Sequence, residues 1–390
     1  MELSLSQSSP ETVSGACCPN KEVCGSCTWS SIPYADQLKE KLRGLNELLE
    51  KEKLPYRCDE ILPSPRQDHY RNRMDFVIDF EGRVGLRQKG KWWRVIDDHH
   101  CFISDEHIED AFETVRTWVR QAGLSYFDRK KHHGLLRFAV IRASVHGEVL
   151  VDIVTSVPKD DEERALLLKA FSHLAESECI ATLVWSVNST ITDVSVGELQ
   201  QVIKGVGVLT ETIQGIQYRV SPHAFFQTNS HAAPLLLDIV QEWSKAAGGA
   251  RLLDLYCGTG FFALALARSF KNVVGVELSE EAIHDARHNA SVNGVNVDFH
   301  VAASEAFSWG ALGADTVIID PPRGGIHKSL LTQLLEHRPK TLIYVSCNYK
   351  NCAADLIKLQ EVYEPRAMRM VDLFPHTPHV ELVTWLEKKA

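Results

Sequence analysis

Ser346-Cys347-Asn348 closes the apolar, β-prone run Leu342-Ile-Tyr-Val, and a polar segment that reads as a helix follows it. A thiol at that junction sits at the carboxyl end of a buried strand, the edge of an open α/β sheet where ligands bind. The positive end of the following helix would favour thiolate, the form that attacks carbon. A buried structural cysteine is the plain alternative. Earlier in the chain, Asp254-Leu-Tyr256-Cys-Gly258-Thr-Gly260 is a glycine turn between a buried strand and a helix. Its glycines let a ligand approach the backbone and the helix end. The next strand ends in Glu277, placed to accept both ribose hydroxyls of an adenosine. A further strand ends in Asp320-Pro-Pro-Arg323.

The Asp-x-x-x-Gly-x-Gly form suits S-adenosylmethionine better than the Gly-x-Gly-x-x-Gly fingerprint of a nicotinamide site, although Ala263 at the third position is allowed in that fingerprint. In amino-methylating enzymes a similar Asp-Pro-Pro motif ends in an aromatic residue that holds the base. Arg323 in its place argues against amino-group methylation.

A second constellation lies near the start. Cys17-Cys18-Pro-Asn-Lys-Glu-Val-Cys24-Gly-Ser-Cys27 puts two thiols on one tight turn with a third nearby. Zinc and an iron–sulfur cluster would both accept such ligands. The fourth ligand must come from elsewhere, with Cys101 the best candidate and Cys58 the runner-up.

These residues need elements to hold them. Residues 34–53 read as a packing helix, with Leu38, Leu42, Leu45, Leu48 and Leu49 on one stripe and Lys39, Glu40, Lys41 and Glu47 off it. Prolines 55, 63 and 65 mark a boundary. From Tyr70 the pattern turns to strands, with a hairpin over residues 71–87 and further strands over 135–144 and 148–155. Between Arg66 and Arg94 stand eight Lys or Arg against four acids, with Tyr70, Trp92 and Trp93 interleaved. A second basic stretch, Arg129-Lys-Lys-His-His133, leads into the strand that carries Arg137 and Arg142. Basic residues with aromatics on a sheet suit single-stranded or looped RNA, through phosphate neutralisation and base stacking. A solvated sheet face is the bland alternative.

Composition bounds the rest. A chain of 390 residues, 44% hydrophobic and 24% charged, has the make-up of a globular protein with room for two or three cores. No apolar run approaches the length of a membrane span. Residues 1–15 lack the features of a signal peptide and read as a mobile, disordered tail. Ten cysteines without an export signal point to reduced thiols in the cytoplasm. A net charge of −9 argues that any nucleic-acid surface is local.

Taken together the segments resemble the RNA 5-methyluridine methyltransferases over nearly the whole chain from Cys18. The matching elements are Cys18-x5-Cys24-Gly-x-Cys27, Tyr70-Arg-Asn-Arg, Phe225-Phe-Gln-x-Asn, Asp254-Leu-Tyr-Cys-Gly-x-Gly, Asp320-Pro-Pro-Arg, Ser346-Cys-Asn and His379-x-Glu381. The resemblance implies Cys347 as nucleophile and Glu381 as general base. It implies Gln227, Tyr256, Gly258, Gly260, Glu277 and Asp320 as contacts to S-adenosylmethionine, and Cys18, Cys24, Cys27 and Cys101 as ligands of a 4Fe-4S cluster. The expected RNA contacts are Arg71, Arg73, Phe225 and Arg323. Cysteine chemistry of this kind also serves RNA 5-methylcytosine enzymes, but their second cysteine in the Asp-Pro-Pro position is absent.

Tyr349 departs from the family's proline after Cys-Asn, and Phe261 from the Asn of many members; the two bear on the uridine pocket and one cofactor contact. No counterpart of the small N-terminal RNA-binding barrel of larger members is expected.

The expected fold class is α/β: a Rossmann-like class I methyltransferase domain over 216–390, preceded by a smaller α+β RNA-binding domain over 66–215. An N-terminal cysteine cluster and its packing helix would fill 16–65. A monomer acting on 23S ribosomal RNA is the favoured expectation, with the T-loop uridine of transfer RNA, or a non-catalytic RNA-binding protein, as alternatives. A cluster-dependent redox enzyme is a further one.

Overall fold

The computed structural model describes residues 17–97 and 99–390; the tail expected over 1–15 and the side chain of Trp92 lie outside the described residues. The first part of the chain comprises α1 (Lys21–Cys24), α2 (Tyr34–Lys51) and β1 (Ile61–Leu62). Then come β2 (Arg73–Ile78), β3 (Val84–Gln88), β4 (Lys91–Ile96), α3 (Glu106–Gln121), β5 (Leu136–Ala143) and β6 (Val149–Thr155). They are followed by α4 (Asp161–Ala175), β7 (Thr182–Val187), β8 (Glu198–Lys204) and the hairpin β9 (Leu209–Ile213) and β10 (Ile216–Val220). The remainder begins with α5 (Ala233–Ala247), β11 (Arg251–Leu255), α6 (Phe261–Leu266), β12 (Asn272–Glu277), α7 (Glu280–Val292) and β13 (Asp298–Val301). It closes with β14 (Thr316–Ile319), α8 (Lys328–His337), β15 (Thr341–Ser346), α9 (Tyr349–Leu359), β16 (Tyr363–Val371) and β17 (Glu381–Lys388).

Strands β11 to β17 form a Rossmann-like sheet in the order β16-β17-β15-β14-β11-β12-β13, with β1 added beside β16. β11 pairs in parallel with β12 on one side and β14 on the other, so the strand order reverses there and a crevice opens beyond the strand ends. β17 runs antiparallel between β15 and β16. That reversal has a direct consequence. Ser346 pairs with Leu382, so the next rung brings Cys347 opposite Glu381. Residues opposed across an antiparallel ladder point to the same face. The N-terminus of one strand and the C-terminus of its neighbour therefore meet in one place.

The central strands form a seven-stranded sheet, β4-β3-β2-β5-β6-β7-β8. Its period-2 pattern sends Phe76, Ile78, Val151 and Ile153 to one face, where α3 and α4 cover them. Phe76 stacks on Phe112 of α3 at 4.0 Å between ring centroids. Val77, Phe138, Val140 and Val154 point to the opposite face and form only a small separate cluster.

The packing helix departs from its expected stripe. Its buried positions are Gln37, Lys41, Leu45 and Leu49, spaced four apart, so Lys41 lies in the apolar face and not on the solvated one. It can do so because Asp372, just after β16, meets its ammonium at 2.7 Å with both side chains excluded from water. Leu45 and Leu49 pack in the core shared by β14, β15 and α9, and β1 pairs with β16. The N-terminal helix and strand thus belong structurally to the large sheet. None of the helices among the described residues is long and apolar enough to cross a membrane.

Candidate active site

The crevice is lined by the loops after β11, β12, β14 and β15. Tyr256, first residue after β11, takes a left-handed conformation with φ of 63°, strain of the kind that concentrates at functional turns. Gly258 (φ 53°) and Gly260 (φ 90°) continue the turn. At φ 90° any side chain on Gly260 would be strained, and its Cβ would come within 3.0 Å of the Phe299 ring. Glu277 closes the turn from the side, accepting the Gly258 N–H at 3.3 Å and the Ser279 N–H at 2.9 Å. Asp254 lies beneath, wholly buried; one of its oxygens accepts the Ala263 N–H at 2.9 Å and the other has no partner. Gln227 is buried, while Phe225 stands 63% exposed and its carbonyl faces Gly258.

Four carboxyls therefore gather at one sheet edge: Asp254, Glu277, Asp320 and Glu381. Burial pushes Asp254 far above its usual range, opposed by the Ala263 N–H and reinforced by Asp320 and Glu277. Burial likewise raises Asp320 to about 7. Glu381 is raised by burial and by Asp320, against the pull of Arg323, and its Oε2 has no hydrogen-bond partner. A cluster of mutually repelling carboxyls with unused oxygens is a setting for a cationic ligand, and a sulfonium with an α-ammonium group is one.

Cys347 is half-buried beside this group. Its thiol is raised to about 11, first by burial, then by the Glu381 and Asp320 carboxylates, with the Arg323 guanidinium pulling down. The thiolate-favouring helix end expected from the sequence is present, since Asn348 caps α9 by accepting the Lys350 N–H at 3.2 Å. Two carboxyls from neighbouring strands and the loss of water outweigh it.

The family model for tRNA (uracil-5-)-methyltransferase matches residues 33–389. The chain belongs to that family. It is 37% identical over 383 residues to the tRNA (uracil(54)-C(5))-methyltransferase of Pyrococcus horikoshii, covering 98% of this chain and 88% of that protein. An RNA methyltransferase of Caldanaerobacter subterraneus, itself uncharacterised, is 34% identical, with 95% and 84% covered. Among solved structures, the tRNA (uracil-54, C5)-methyltransferase of Pyrococcus abyssi in complex with S-adenosyl-L-homocysteine superposes with a TM-score of 0.78 at 33% identity, covering 93% of this chain and 85% of that one. The protein is an S-adenosylmethionine-dependent RNA uracil-C5-methyltransferase.

In this enzyme the two departures from the family pattern point away from the crevice. Tyr349 leans on α2, where a Cβ on Gly44 would come within 3.3 Å of its hydroxyl. Phe261 is buried in an aromatic cluster with Tyr218, Phe226 and Phe262. Of the expected RNA contacts, Phe225 and Arg323 are exposed at the site. Arg73 is instead held by Asp75 through two hydrogen bonds of 2.8 and 3.2 Å. Arg71 bends back onto the Arg73 carbonyl at 3.0 Å.

Cys18, Cys27 and Cys101 share one buried cluster, whereas Cys58 is packed in the core of the large sheet. Burial raises the Cys27 thiol, and Cys101, Cys18 and Cys24 each raise it further, which puts the other three within electrostatic reach of Cys27. Among the described residues, no three His, Cys, Asp or Glu side chains are set to ligate a single metal ion.

Several supporting residues escape a reading of the sequence alone. Asn72, inside Tyr70-Arg-Asn-Arg, donates to the Gln227 carbonyl at 2.9 Å and to Ser230 at 2.6 Å, joining the central sheet to the 225–230 segment. Arg142, fully buried, donates to the Ala224 carbonyl. The loop between β16 and β17 is held by Lys41, by Gln37, which accepts the His376 N–H at 2.8 Å, and by the Trp29 N–H on the His376 carbonyl at 3.0 Å. The one signal in the sequence is two polar side chains, Gln37 and Lys41, at helical spacing with Leu45 and Leu49.

Proposed function

We propose that this enzyme methylates C5 of the uridine at position 54 of transfer RNA, using Cys347 as nucleophile and Glu381 as general base. The chemistry rests on one observation: the antiparallel register that opposes Cys347 and Glu381 at the rim of the crevice, with Asp320 and Arg323 beside them. For the substrate, what supports the reading is that relatives similar over nearly the whole chain are named for uracil-54 of tRNA. That consideration displaces the 23S ribosomal RNA favoured from sequence.

C5 of uracil is a poor nucleophile. Cys347 gives its proton to solvent and adds as thiolate to C6, and the ring's electrons move to C5 and O4 as an enolate. Bound S-adenosylmethionine supplies an electrophilic methyl group on a sulfonium. Gln227, Tyr256, Gly258, Gly260, Glu277 and Asp320 would hold it, and the Glu277 and Asp320 carboxyls at the crevice suit its positive charge. Once C5 carries the methyl group, Glu381 takes the C5 proton, the C5–C6 double bond re-forms and the Cys347–C6 bond breaks. Burial raises the Glu381 carboxyl, which makes its carboxylate form a stronger base. The target base has to leave its stack to reach a buried carboxyl, and exposed Phe225 gives it a ring to stack on.

Cys18, Cys24, Cys27 and Cys101 would hold a 4Fe-4S cluster, a reading supported by three thiols within electrostatic reach of Cys27 and by the burial of Cys18, Cys27 and Cys101. The cluster would serve structure, since the segment carrying it docks through Trp29 onto the loop that leads to Glu381.

The test is methyl transfer from labelled S-adenosylmethionine to unmodified transfer RNA and to ribosomal RNA, followed by nucleoside analysis. Label in 5-methyluridine from transfer RNA, lost when uridine 54 is replaced, is the expected result. Label from ribosomal RNA alone overturns the substrate.

A further inference from the structure

The central sheet covers one face with α3 and α4 and leaves the other with a small apolar cluster. On that barer face lies a cavity of about 340 Å³. Phe80, Trp93, Phe127 and Phe138 line it, and half of the Phe80 and Trp93 surfaces remains in water. Its rim is basic. Residues 129–133, Arg-Lys-Lys-His-His, are all exposed, and Lys130 and Lys131 border the opening.

The walls are held by residues far apart in sequence. Arg87 and Arg129 converge on Asp193, at 2.6 and 2.7 Å. Arg137 reaches the carbonyls of Asn188 and Thr190 at 2.8 and 2.6 Å and lies 4.3 Å from the Phe127 ring centroid. The two basic stretches of the sequence thus meet around one aromatic cavity.

We propose that this cavity binds one unstacked nucleotide of the substrate RNA, separate from the uridine that is methylated. Its volume falls in the range of small-molecule sites, and its chemistry is that of a base-binding platform. Aromatic faces take the base, whatever its identity, and flanking cations take the adjoining phosphates. A sheet with helices on one face and exposed aromatics on the other is a recurrent way of binding unpaired RNA. The charge of the rim selects a polyanion over an apolar peptide. The cavity belongs to the central sheet, whereas the reacting groups sit at the edge of the large one, so it adds a second anchoring point on the RNA. This inference rests on the RNA-methylating reading but not on which RNA is methylated.

Two variants test it: Phe80→Ala with Trp93→Ala, and Lys130→Ala with Lys131→Ala. Each is compared with wild type for Kd and KM on the full-length RNA that the enzyme methylates. A short hairpin carrying only the target loop provides the control. The aromatic variant should weaken full-length RNA binding about tenfold or more and raise KM in step. Its kcat at saturating RNA, its affinity for S-adenosylmethionine and its activity on the hairpin should stay within about twofold. The lysine variant should flatten the dependence of log Kd on log salt by about 0.7 for each phosphate that is no longer neutralised. Both lysines are exposed, so that variant keeps the test alive if the aromatic one misfolds. Unchanged Kd and salt slope on full-length RNA overturn the proposal, as does equal weakening on the short hairpin. The readings fail separately: label found in ribosomal RNA alone removes the tRNA substrate, and this comparison then runs on the ribosomal RNA.

Discussion

The thiol of Cys347 invites a direct measurement. Held at about 11 where 9.0 is ordinary, it is about 0.1% thiolate at pH 8, against about 10% for an unperturbed cysteine. Because thiolate is the reacting form, alkylation by iodoacetamide should be about a hundredfold slower than for a free thiol. The rate should climb about tenfold per pH unit from pH 7 to pH 10 without levelling, followed by mass spectrometry of the Cys347 peptide. The neighbours set the sign of each variant. Asp320→Asn and Glu381→Gln remove charges that hold the thiol up and should speed labelling. Arg323→Gln removes the group that pulls it down and should slow labelling. A rate that plateaus below pH 9, or an Arg323→Gln variant that labels faster, refutes the electrostatic account of the site.

Glu381→Gln should stall the reaction after methylation and leave a covalent protein–RNA adduct on denaturing gels; RNA bound only reversibly would point to another base. Lys41→Met leaves Asp372 buried with no counter-charge and should cost about 3–5 kcal/mol in denaturant melts. The double variant Lys41→Met with Asp372→Leu should recover most of that loss, since it removes the stranded charge too. Asp320 is raised by burial to about 7, so its folded form holds a proton that the unfolded chain has released above pH 4. The ligand-free enzyme should therefore lose stability as pH rises from about 4 to 7, and Asp320→Asn should lose less, as melting curves across that window can establish.

The chemistry-bearing ends of strands are legible because their signals are local. An apolar run that stops at Ser346-Cys347-Asn348, or a glycine turn after Asp254, is written within ten residues. The large sheet follows from the same strands, and the closeness of Cys18, Cys24 and Cys27 from their spacing. Lys41 reads wrongly because a lysine among glutamates on a helix looks solvated, and its partner lies 331 residues away. The thiol's environment misleads in the same way. The capping helix is adjacent in sequence, whereas burial, the largest cause, and the two carboxyls that follow it come from the packing of other strands. The basic and aromatic stretches of the central sheet are visible individually. That Arg87 and Arg129 share Asp193 depends on a loop with no sequence signal of its own.

The pairing of Lys41 with Asp372 also bears on how the enzyme is made. At about 5–20 residues per second of synthesis, the lysine is added to the chain roughly 17 to 66 s before its aspartate. Over that interval Lys41 and Gln37 of α2 lack Asp372 and the His376 loop, β1 lacks β16, and Trp29 lacks the His376 carbonyl. The N-terminal helix and strand reach their places only after the end of the chain, from β16 onward, has emerged. A product truncated before β16 would carry the cofactor turn and Cys347 and still lack both Glu381 and the partner that draws Lys41 inward, so completion of the chain licenses the site.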